Sequence, residues 1–338
     1  MQLFKHTVVI SQIKQFMRKI LLLLALLPFL VSAQNSDTTS FVKNELVIIE
    51  RNPAKGFYNS YILFIPKGVQ KNKLTRLLVE PNNTGITTDS IEVHEKSAIR
   101  LASKSSVGNN ISTELKIPLL VPIFPRPASK PLVYTHALDR DVIFEQSKKL
   151  KRLDLQLIAM LKDARKQLKD RRVLVHDKIF MNGFSASATF TNRFLFIHPE
   201  LVAAAAMGGF NGKLMLPLKR HKNEEFDYPL GINDFEKIFN KKFHKKNYQN
   251  IPQHIYMGAL DNNDAVQFDD AYNTHERTII NTTLGFKVQE RYKECQRIYT
   301  KNSISAKFHT YEKVGHRTTS KINLEVILFF LKELKKNN

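Results

Sequence analysis

The apolar and polar positions of this chain alternate between short apolar runs and longer stretches with a helical period. Each short run is rich in Val, Ile, Leu, Ala or Phe and is bounded by turn-forming residues, which is the pattern of a β-strand. These runs predict strands over 45–50, 57–65, 76–80, 117–124, 178–183, 201–207, 253–258 and 306–311.

Helical periodicity is clearest over 148–169, where one stripe is apolar and the opposite face carries Lys, Asp and Arg. The stripe consists of Leu153, Leu157, Met160, Leu161, Ala164 and Leu168. The other predicted helices cover 90–103 with Asp89 as N-cap, 186–197, parts of 264–302, and 322–336. Strands and helices therefore alternate, which predicts an α/β fold with a mostly parallel central sheet and helices on both faces.

Residues 211–250 interrupt this alternation. They mix Lys-rich stretches with scattered aromatic residues and contain no convincing strand pattern. We interpret them as an insertion over the carboxyl edge of the sheet. They would form either a lid or an ordinary excursion packed against the side.

The first 33 residues have the parts of an export signal. Basic residues precede an apolar run over 20–30, and Val31-Ser32-Ala33 is a small-residue cleavage site. Met17 would give this signal a compact start. The run is short for a membrane span, and an uncleaved anchor is the alternative interpretation. We expect a signal peptide over 1–33, an exported protein (periplasmic or secreted), and a single domain over 34–338.

Charge suggests anionic partners without identifying one. The chain has 52 Lys and Arg against 31 Asp and Glu, a formal net charge of +21 at pH 7. Four of those cations lie in residues 1–33, so the exported form would carry +17. Such a surface favours acidic partners, namely nucleic acid, anionic glycans or lipid head groups. No nucleic-acid-binding motif accompanies the charge, so we prefer to interpret it as a solvated basic face.

Cys295 is the only cysteine, which excludes an internal disulfide and argues against a Cys-ligated metal. Its helical surroundings indicate a buried, inert thiol. The run 261–266 resembles a calcium loop, but Ala265 and Val266 occupy positions that need a ligand and a glycine. We therefore expect neither a metal nor another cofactor.

The sequence Gly183-Phe184-Ser185-Ala186-Ser187 separates a predicted strand from a predicted helix. A serine at the tip of such a turn has the geometry of a nucleophile elbow, in which the residues two before and two after it must be small. Gly183 and Ser187 are small, although glycine is usual at the second position. Ser185 is therefore the candidate nucleophile.

An acyl-transfer site also needs a base and an acid, and in an elbow fold these follow in the order Ser, Asp or Glu, His. Asp261 and Asp264 compete for the acid position after one strand, and the position directly after that strand favours Asp261. His316 follows Gly315 in a loop after the last strand, where its ring can reach both partners. Its rivals lie inside regular elements, His275 in a helix and His309 in a strand.

The remaining candidates surround this triad. The oxyanion hole would use the backbone N–H of Ala186 together with that of Asn83 or Thr84, in the loop after the third strand. Three further side chains are candidates for the substrate pocket: Asn82, His136 and Asp264.

Several of these segments together resemble the α/β-hydrolase superfamily, and most closely its secreted esterases related to feruloyl esterases and polyhydroxyalkanoate depolymerases. The segments that carry the resemblance are 77–85, 183–187, 198–206, 258–261 and 315–316. The resemblance implies an α/β-hydrolase fold and a serine esterase with Ser185, Asp261 and His316 as nucleophile, acid and base. It also implies a small-molecule, glycan-linked or polymer-linked ester substrate.

Two features depart from that branch. Asn82-Asn83 stand where His-Gly is usual, and Ser187 replaces the second elbow glycine. Two other functions remain open: a serine peptidase or amidase with the same triad, because the fold hosts both chemistries, and a non-catalytic protein that binds anionic glycans.

Overall fold

The structure is a computed structural model that describes residues 39–82, 85–104, 106–133, 138–268 and 271–336. The predicted signal peptide lies outside these residues. By its contacts, Ser40–Asn338 forms one compact unit. Within the described ranges, no helix combines the length and apolar character needed to cross a membrane.

Eight strands form the central sheet, in the order β1-β2-β5-β4-β7-β8-β11-β12. The pairs β1–β2 and β2–β5 are antiparallel, and all the others are parallel. The sheet is therefore mostly parallel, as predicted. Its strands are β1 Glu45–Ile49, β2 Tyr61–Ile65, β4 Leu78–Val79, β5 Leu119–Pro122, β7 Ile179–Phe184, β8 Val202–Gly208, β11 Gln253–Gly258 and β12 Ala306–Tyr311.

Four shorter strands form two small ribbons, one joining β3 (Leu74–Thr75) to β6 (Leu174–Val175) and one joining β9 (Arg220–His221) to β10 (Glu224–Glu225). The α-helices are α1 Ile91–Ser103, α2 Val107–Leu115, α3 Arg140–Phe144, α4 Leu153–Asp170, α5 Ala186–Ile197, α6 Phe235–Phe239, α7 Lys245–Asn250, α8 Thr274–Thr283, α9 Val288–Lys301 and α10 Ser320–Lys335.

The core has two layers, one on each face of the sheet. Along β7, the side chains of Ile179 and Met181 belong to one layer and Phe180 to the other. This alternation follows from the two-residue period of a strand. Helices α4, α5 and α9 pack into the first layer, and α1, α2 and α10 pack into the second. Helices therefore cover both faces, as predicted, and the apolar stripe of α4 is buried.

The segment 211–250, which we predicted to be an insertion, contains more regular structure than its sequence pattern indicated. It forms the β9–β10 ribbon and the short helices α6 and α7. Phe226, Tyr228 and Phe235 are buried in the first core layer, and the Phe243 ring stacks on Phe196 at the end of α5. This packing favours the side-packed excursion over the lid.

One local expectation was wrong. Asp89 does not cap α1, because its carboxylate accepts hydrogen bonds from the backbone N–H and hydroxyl of Ser129, and Ser90 holds the cap position. Helix α2 was not predicted. Cys295 is fully buried in α9, as expected, and burial raises the pKa of its thiol to about 11.

Candidate active site

The serine at the end of β7 adopts a backbone conformation that non-glycine residues seldom hold. Ser185 has a φ of 61° and a ψ of −126°, and α5 begins at the next residue. Its N–H donates to the carbonyl oxygen of Gly208 at the end of β8, at 2.9 Å. Such strain persists only where the surroundings impose it, and it occurs most often at functional sites. The elbow geometry is therefore present at Ser185.

The contacts around the elbow explain why Gly183 and Ser187 are small. A Cβ on Gly183 would lie 2.4 Å from the carbonyl oxygen of Ser187, so only glycine fits. The Ser187 hydroxyl accepts a hydrogen bond from the Phe184 N–H and donates one to the Phe184 carbonyl, both at 2.9 Å. Serine at the second small position thus ties the first turn of the helix to the end of the strand.

A second glycine brings the two other loops together at the same edge of the sheet. A Cβ on Gly258, the last residue of β11, would lie 2.2 Å from the Val314 carbonyl oxygen. The N–H of Leu260 donates to that carbonyl at 2.9 Å. The close approach places the loop that carries Asp261 against the loop that carries His316.

A continuous chain of hydrogen bonds joins these three elements. His316 Nε2 lies 3.0 Å from Ser185 Oγ, and His316 Nδ1 lies 3.1 Å from each carboxylate oxygen of Asp261. The Asp261 side chain is almost fully buried and that of His316 is 28% exposed. A buried carboxylate can fix the ring and its tautomer, while the other ring nitrogen faces the serine.

The rival side chains are engaged elsewhere. Asp264 pairs with the buried guanidinium of Arg291 at 2.6 Å, and it also lines the cleft in front of Ser185. His309, in β12, lies 3.7 Å from Glu325. His275 lies in α8, away from the serine cleft.

The cleft at the elbow has a volume of about 750 Å³. Ala186 lies at its wall, and no described residue accepts a hydrogen bond from its backbone N–H. Its role as a donor to an oxyanion next to Ser185 Oγ stays a prediction. The other predicted donors, Asn83 and Thr84, lie outside the described residues, as does His136.

Asn82 does not line the cleft. It is fully buried, and its amide bonds both the N–H and the carbonyl oxygen of Phe124, at 2.9 and 3.0 Å. These bonds join the start of the loop after β4 to the segment that follows β5. The amide therefore contributes to the shape of the loop rather than to the cleft surface.

A buried acid lies behind the elbow. Glu80 follows β4, and its carboxylate accepts a hydrogen bond from Asn182 Nδ2, in β7, at 2.8 Å. Burial raises the pKa of Glu80 to about 7, against a smaller opposing effect of hydrogen bonds from Asn182 and the Gly108 backbone. Within the described residues, Asn182 Oδ1 and the Tyr256 hydroxyl have no hydrogen-bond partner. Both oxygens can accept a hydrogen bond from the protonated carboxyl of Glu80 if it turns toward them.

Several cleft residues were not foreseen. Asn263 and Arg126 both line the cleft, and Asn263 also contacts His316. Asn263 lies in the turn-forming segment after β11. A turn-forming sequence does not show which of its side chains will contact His316. The described part of the chain contains no group of three or more His, Cys, Asp or Glu that could hold a metal.

A mostly parallel eight-stranded sheet with an antiparallel second strand, a serine elbow after β7, and acid and histidine loops after β11 and β12 define the α/β-hydrolase fold. No family model matches the sequence, and no curated protein matches it. Solved structures do share its fold. Poly(aspartic acid) hydrolase-1 from Sphingomonas sp. KT-1 is 15% identical with a TM-score of 0.56, over 86% of this chain and 98% of that one.

Two others cover most of the chain at still lower identity. A poly(3-hydroxybutyrate) depolymerase from Bordetella parapertussis is 11% identical with a TM-score of 0.53, over 86% of this chain and 90% of that one. An S-formylglutathione hydrolase from Agrobacterium tumefaciens is 8% identical with a TM-score of 0.50, over 90% and 98%. At these identities the similarity concerns the fold.

Proposed function

We propose that this protein is an exported serine hydrolase that cleaves carboxylic esters through an acyl-enzyme on Ser185. The observation that carries the proposal is the hydrogen-bond chain from Ser185 Oγ through His316 to Asp261. A strained serine, a base at 3.0 Å and a buried acid behind that base together form the constellation of acyl transfer.

In the first half-reaction, His316 Nε2 takes the hydroxyl proton of Ser185 while Oγ attacks the ester carbonyl. Asp261 holds the proton on Nδ1 and stabilises the imidazolium. The Ala186 N–H stabilises the oxyanion, and the ring then gives its proton to the departing alkoxide. In the second half, water gives a proton to Nε2 and attacks the acyl group, and the ring then returns that proton to Ser185 Oγ as the carboxylic acid leaves.

The direct test is the turnover of short p-nitrophenyl esters by the wild type and by Ser185→Ala. We expect the variant to lose at least about 10⁴-fold in kcat, because residues that act as one catalytic unit lose almost everything together. A fluorophosphonate probe should label the wild type and not the variant. Equal turnover by both proteins would refute the assignment.

Ester and amide cleavage use the same residues, so the fold does not select between them. The names of the similar structures include a poly(aspartic acid) hydrolase and a poly(3-hydroxybutyrate) depolymerase. We favour the ester because it is the less demanding substrate for a triad in an open cleft. A panel of acyl esters and matched aminoacyl amides separates the two: turnover of the amides alone would contradict an esterase.

Export rests on the first 33 residues, with their apolar run and small-residue cleavage site. The full chain, expressed with a C-terminal tag in a bacterial host, should appear outside the cytoplasm with Gln34 as its first residue. A cytoplasmic protein that keeps its apolar run would contradict export.

A further inference from the structure

The base nitrogen of His316 has a second neighbour besides the nucleophile. Asn263 Nδ2 lies 3.1 Å from His316 Nε2, and Ser185 Oγ lies 3.0 Å from the same nitrogen. The backbone N–H of Asn263 also donates to Asp261 Oδ1, at 3.1 Å. One short loop thus places a carboxylate at one ring nitrogen and an amide at the other.

Both contacts select the same state of the ring. An amide nitrogen can only donate, so Nε2 must accept and carries no proton in this arrangement. The ring proton is then on Nδ1, where the Asp261 carboxylate accepts it. This neutral tautomer is the one that can take the proton of Ser185.

We propose that Asn263 is a positioning residue for the base: its Nδ2–H holds Nε2 in place beside Ser185 and favours the neutral ring over the imidazolium. The inference rests on the proposed hydrolase function. A hydrogen bond to one protonation state stabilises that state relative to the other. Asn263 and the Ser185 hydroxyl share the one lone pair of Nε2, so the amide must give way when the serine proton is transferred.

The amide can also follow the proton. When the Ser185 hydroxyl proton moves to Nε2, that nitrogen becomes a donor, and the Nδ2–H of Asn263 can no longer face it. The side chain of Asn263 is exposed, so it has room to turn and offer Oδ1 as an acceptor. When the proton passes on to the departing alkoxide, the original contact forms again. Neither alanine nor aspartate can both donate to the neutral Nε2 and accept from the protonated one.

Other charged groups at the cleft stay the same in the test variants. Arg126 and Asp264 line it, and Asp264 is paired with Arg291. Phe184, which packs its ring 5.0 Å from that of His316, carries no charge. Differences between variants at position 263 therefore report the amide contact.

The chain offers a matched control one residue away. Asn262 is also exposed, and its side chain makes no hydrogen bond to any described residue. Asn262→Ala and Asn262→Asp make the same chemical changes without touching His316. Because Asn263 is exposed and its bond to Asp261 uses the backbone, folding should survive the substitutions at either position, which melting temperatures will check.

The experiment measures kcat/KM for a neutral p-nitrophenyl ester from pH 5 to pH 9 in all five proteins. We expect the midpoint of the acid limb to rise by roughly half a pH unit in Asn263→Ala, since a donor to the neutral ring is lost. Asn263→Asp should raise it by roughly one unit or more, since a carboxylate favours the imidazolium. The alkaline plateau should also fall in both variants, because the amide no longer holds Nε2 beside Ser185.

Unchanged midpoints in both variants at position 263 would overturn the proposal, as would an equal shift in Asn262→Asp. The ring-nitrogen chemical shifts of His316, assigned with His316→Gln and titrated by NMR, give the same readout without turnover. If no ester or amide is cleaved, the hydrolase function fails, while this titration still decides whether Asn263 favours the neutral ring.

Discussion

Ser185 holds its unfavourable backbone conformation because three neighbouring residues leave it no alternative. Gly183 admits the close approach of the helix, Gly208 accepts the Ser185 N–H, and Ser187 closes the turn with two hydrogen bonds. A residue at such a φ stores roughly 1–3 kcal/mol, which its surroundings must offset. The backbone conformation of Ser185 is therefore imposed by the residues of the elbow and is not the one that serine itself prefers.

Ser187→Ala should lower the free energy of unfolding by about 1–3 kcal/mol, because both bonds to partly buried Phe184 backbone groups are lost. It should also lower kcat/KM roughly tenfold, because Ser185 is held less firmly. Chemical denaturation and ester assays measure the two effects. Ser112→Ala is the control, since it removes a buried hydroxyl bond to Ile117 away from the cleft. Full activity in Ser187→Ala would show that the glycine alone maintains the elbow.

At the residue scale, the order of strands and loops along the chain was enough to predict where the three triad candidates would meet. Ser185, Asp261 and His316 were expected at one edge of the sheet because the ends of parallel strands meet there, and that is where they lie. Their roles stay predictions. The contact of Asn263 with His316 could not be foreseen, because it depends on which way a loop side chain points.

At the scale of the elements, Glu80 and Asn182 connect β4, whose following loop was predicted to form part of the oxyanion hole, with β7, which carries the nucleophile. The pKa of Glu80 is raised from 4.5 to about 7 by burial. The folded state thus binds this proton more tightly than the unfolded chain does. Its contribution to stability is present below about pH 4.5 and is lost as the pH rises through 7.

Glu80→Gln removes this titration and keeps an oxygen that can accept from Asn182. Its amide can also donate to Asn182 Oδ1, which has no partner among the described residues. We expect the variant to gain about 3 kcal/mol of unfolding free energy relative to the wild type between pH 4.5 and pH 8. Denaturation at several pH values measures this difference. Glu114→Gln, at an exposed position of α2, should show no such trend.

Long periodic elements were predictable, and short ones were not. The stripe of α4 fixes its face by repetition over several turns. Helix α2 is short and contains Gly108. A Cβ on Gly108 would lie 1.9 Å from Glu80 Oε2, so a glycine is needed to make room for the buried acid. Glycine also has a low helix propensity, which weakens the helical pattern in the sequence. Asp89 is a residue type that often caps helices. Its carboxylate instead accepts a hydrogen bond from Ser129, in a loop far along the chain.

At the scale of the whole molecule, the dominant property is a net positive charge, +21 for the full chain and +17 without residues 1–33. Arg126 at the cleft adds a local cation to this field. A positive field raises the encounter rate of anionic substrates and is screened by salt. The fold does not require this excess of Lys and Arg over Asp and Glu, so only the composition predicts it.

We therefore expect kcat/KM for a carboxylate-bearing p-nitrophenyl ester to fall roughly three- to tenfold between 20 and 300 mM NaCl. A neutral ester of the same size should change by less than about twofold. Parallel assays of the two esters measure the electrostatic part alone. Equal salt responses would mean that the basic surface does not act on substrates entering this cleft.

The single cysteine gives the protein an internal reporter of its own opening. Cys295 lies fully buried in α9, with its sulfur accepting from the Leu214 N–H, and burial keeps its thiol protonated at neutral pH. A thiol reagent can reach it only when the packing around α9 separates. With no second cysteine in the chain, every labelled molecule records one such event. The rate of modification in native buffer therefore measures how often this part of the core opens, without any engineered probe.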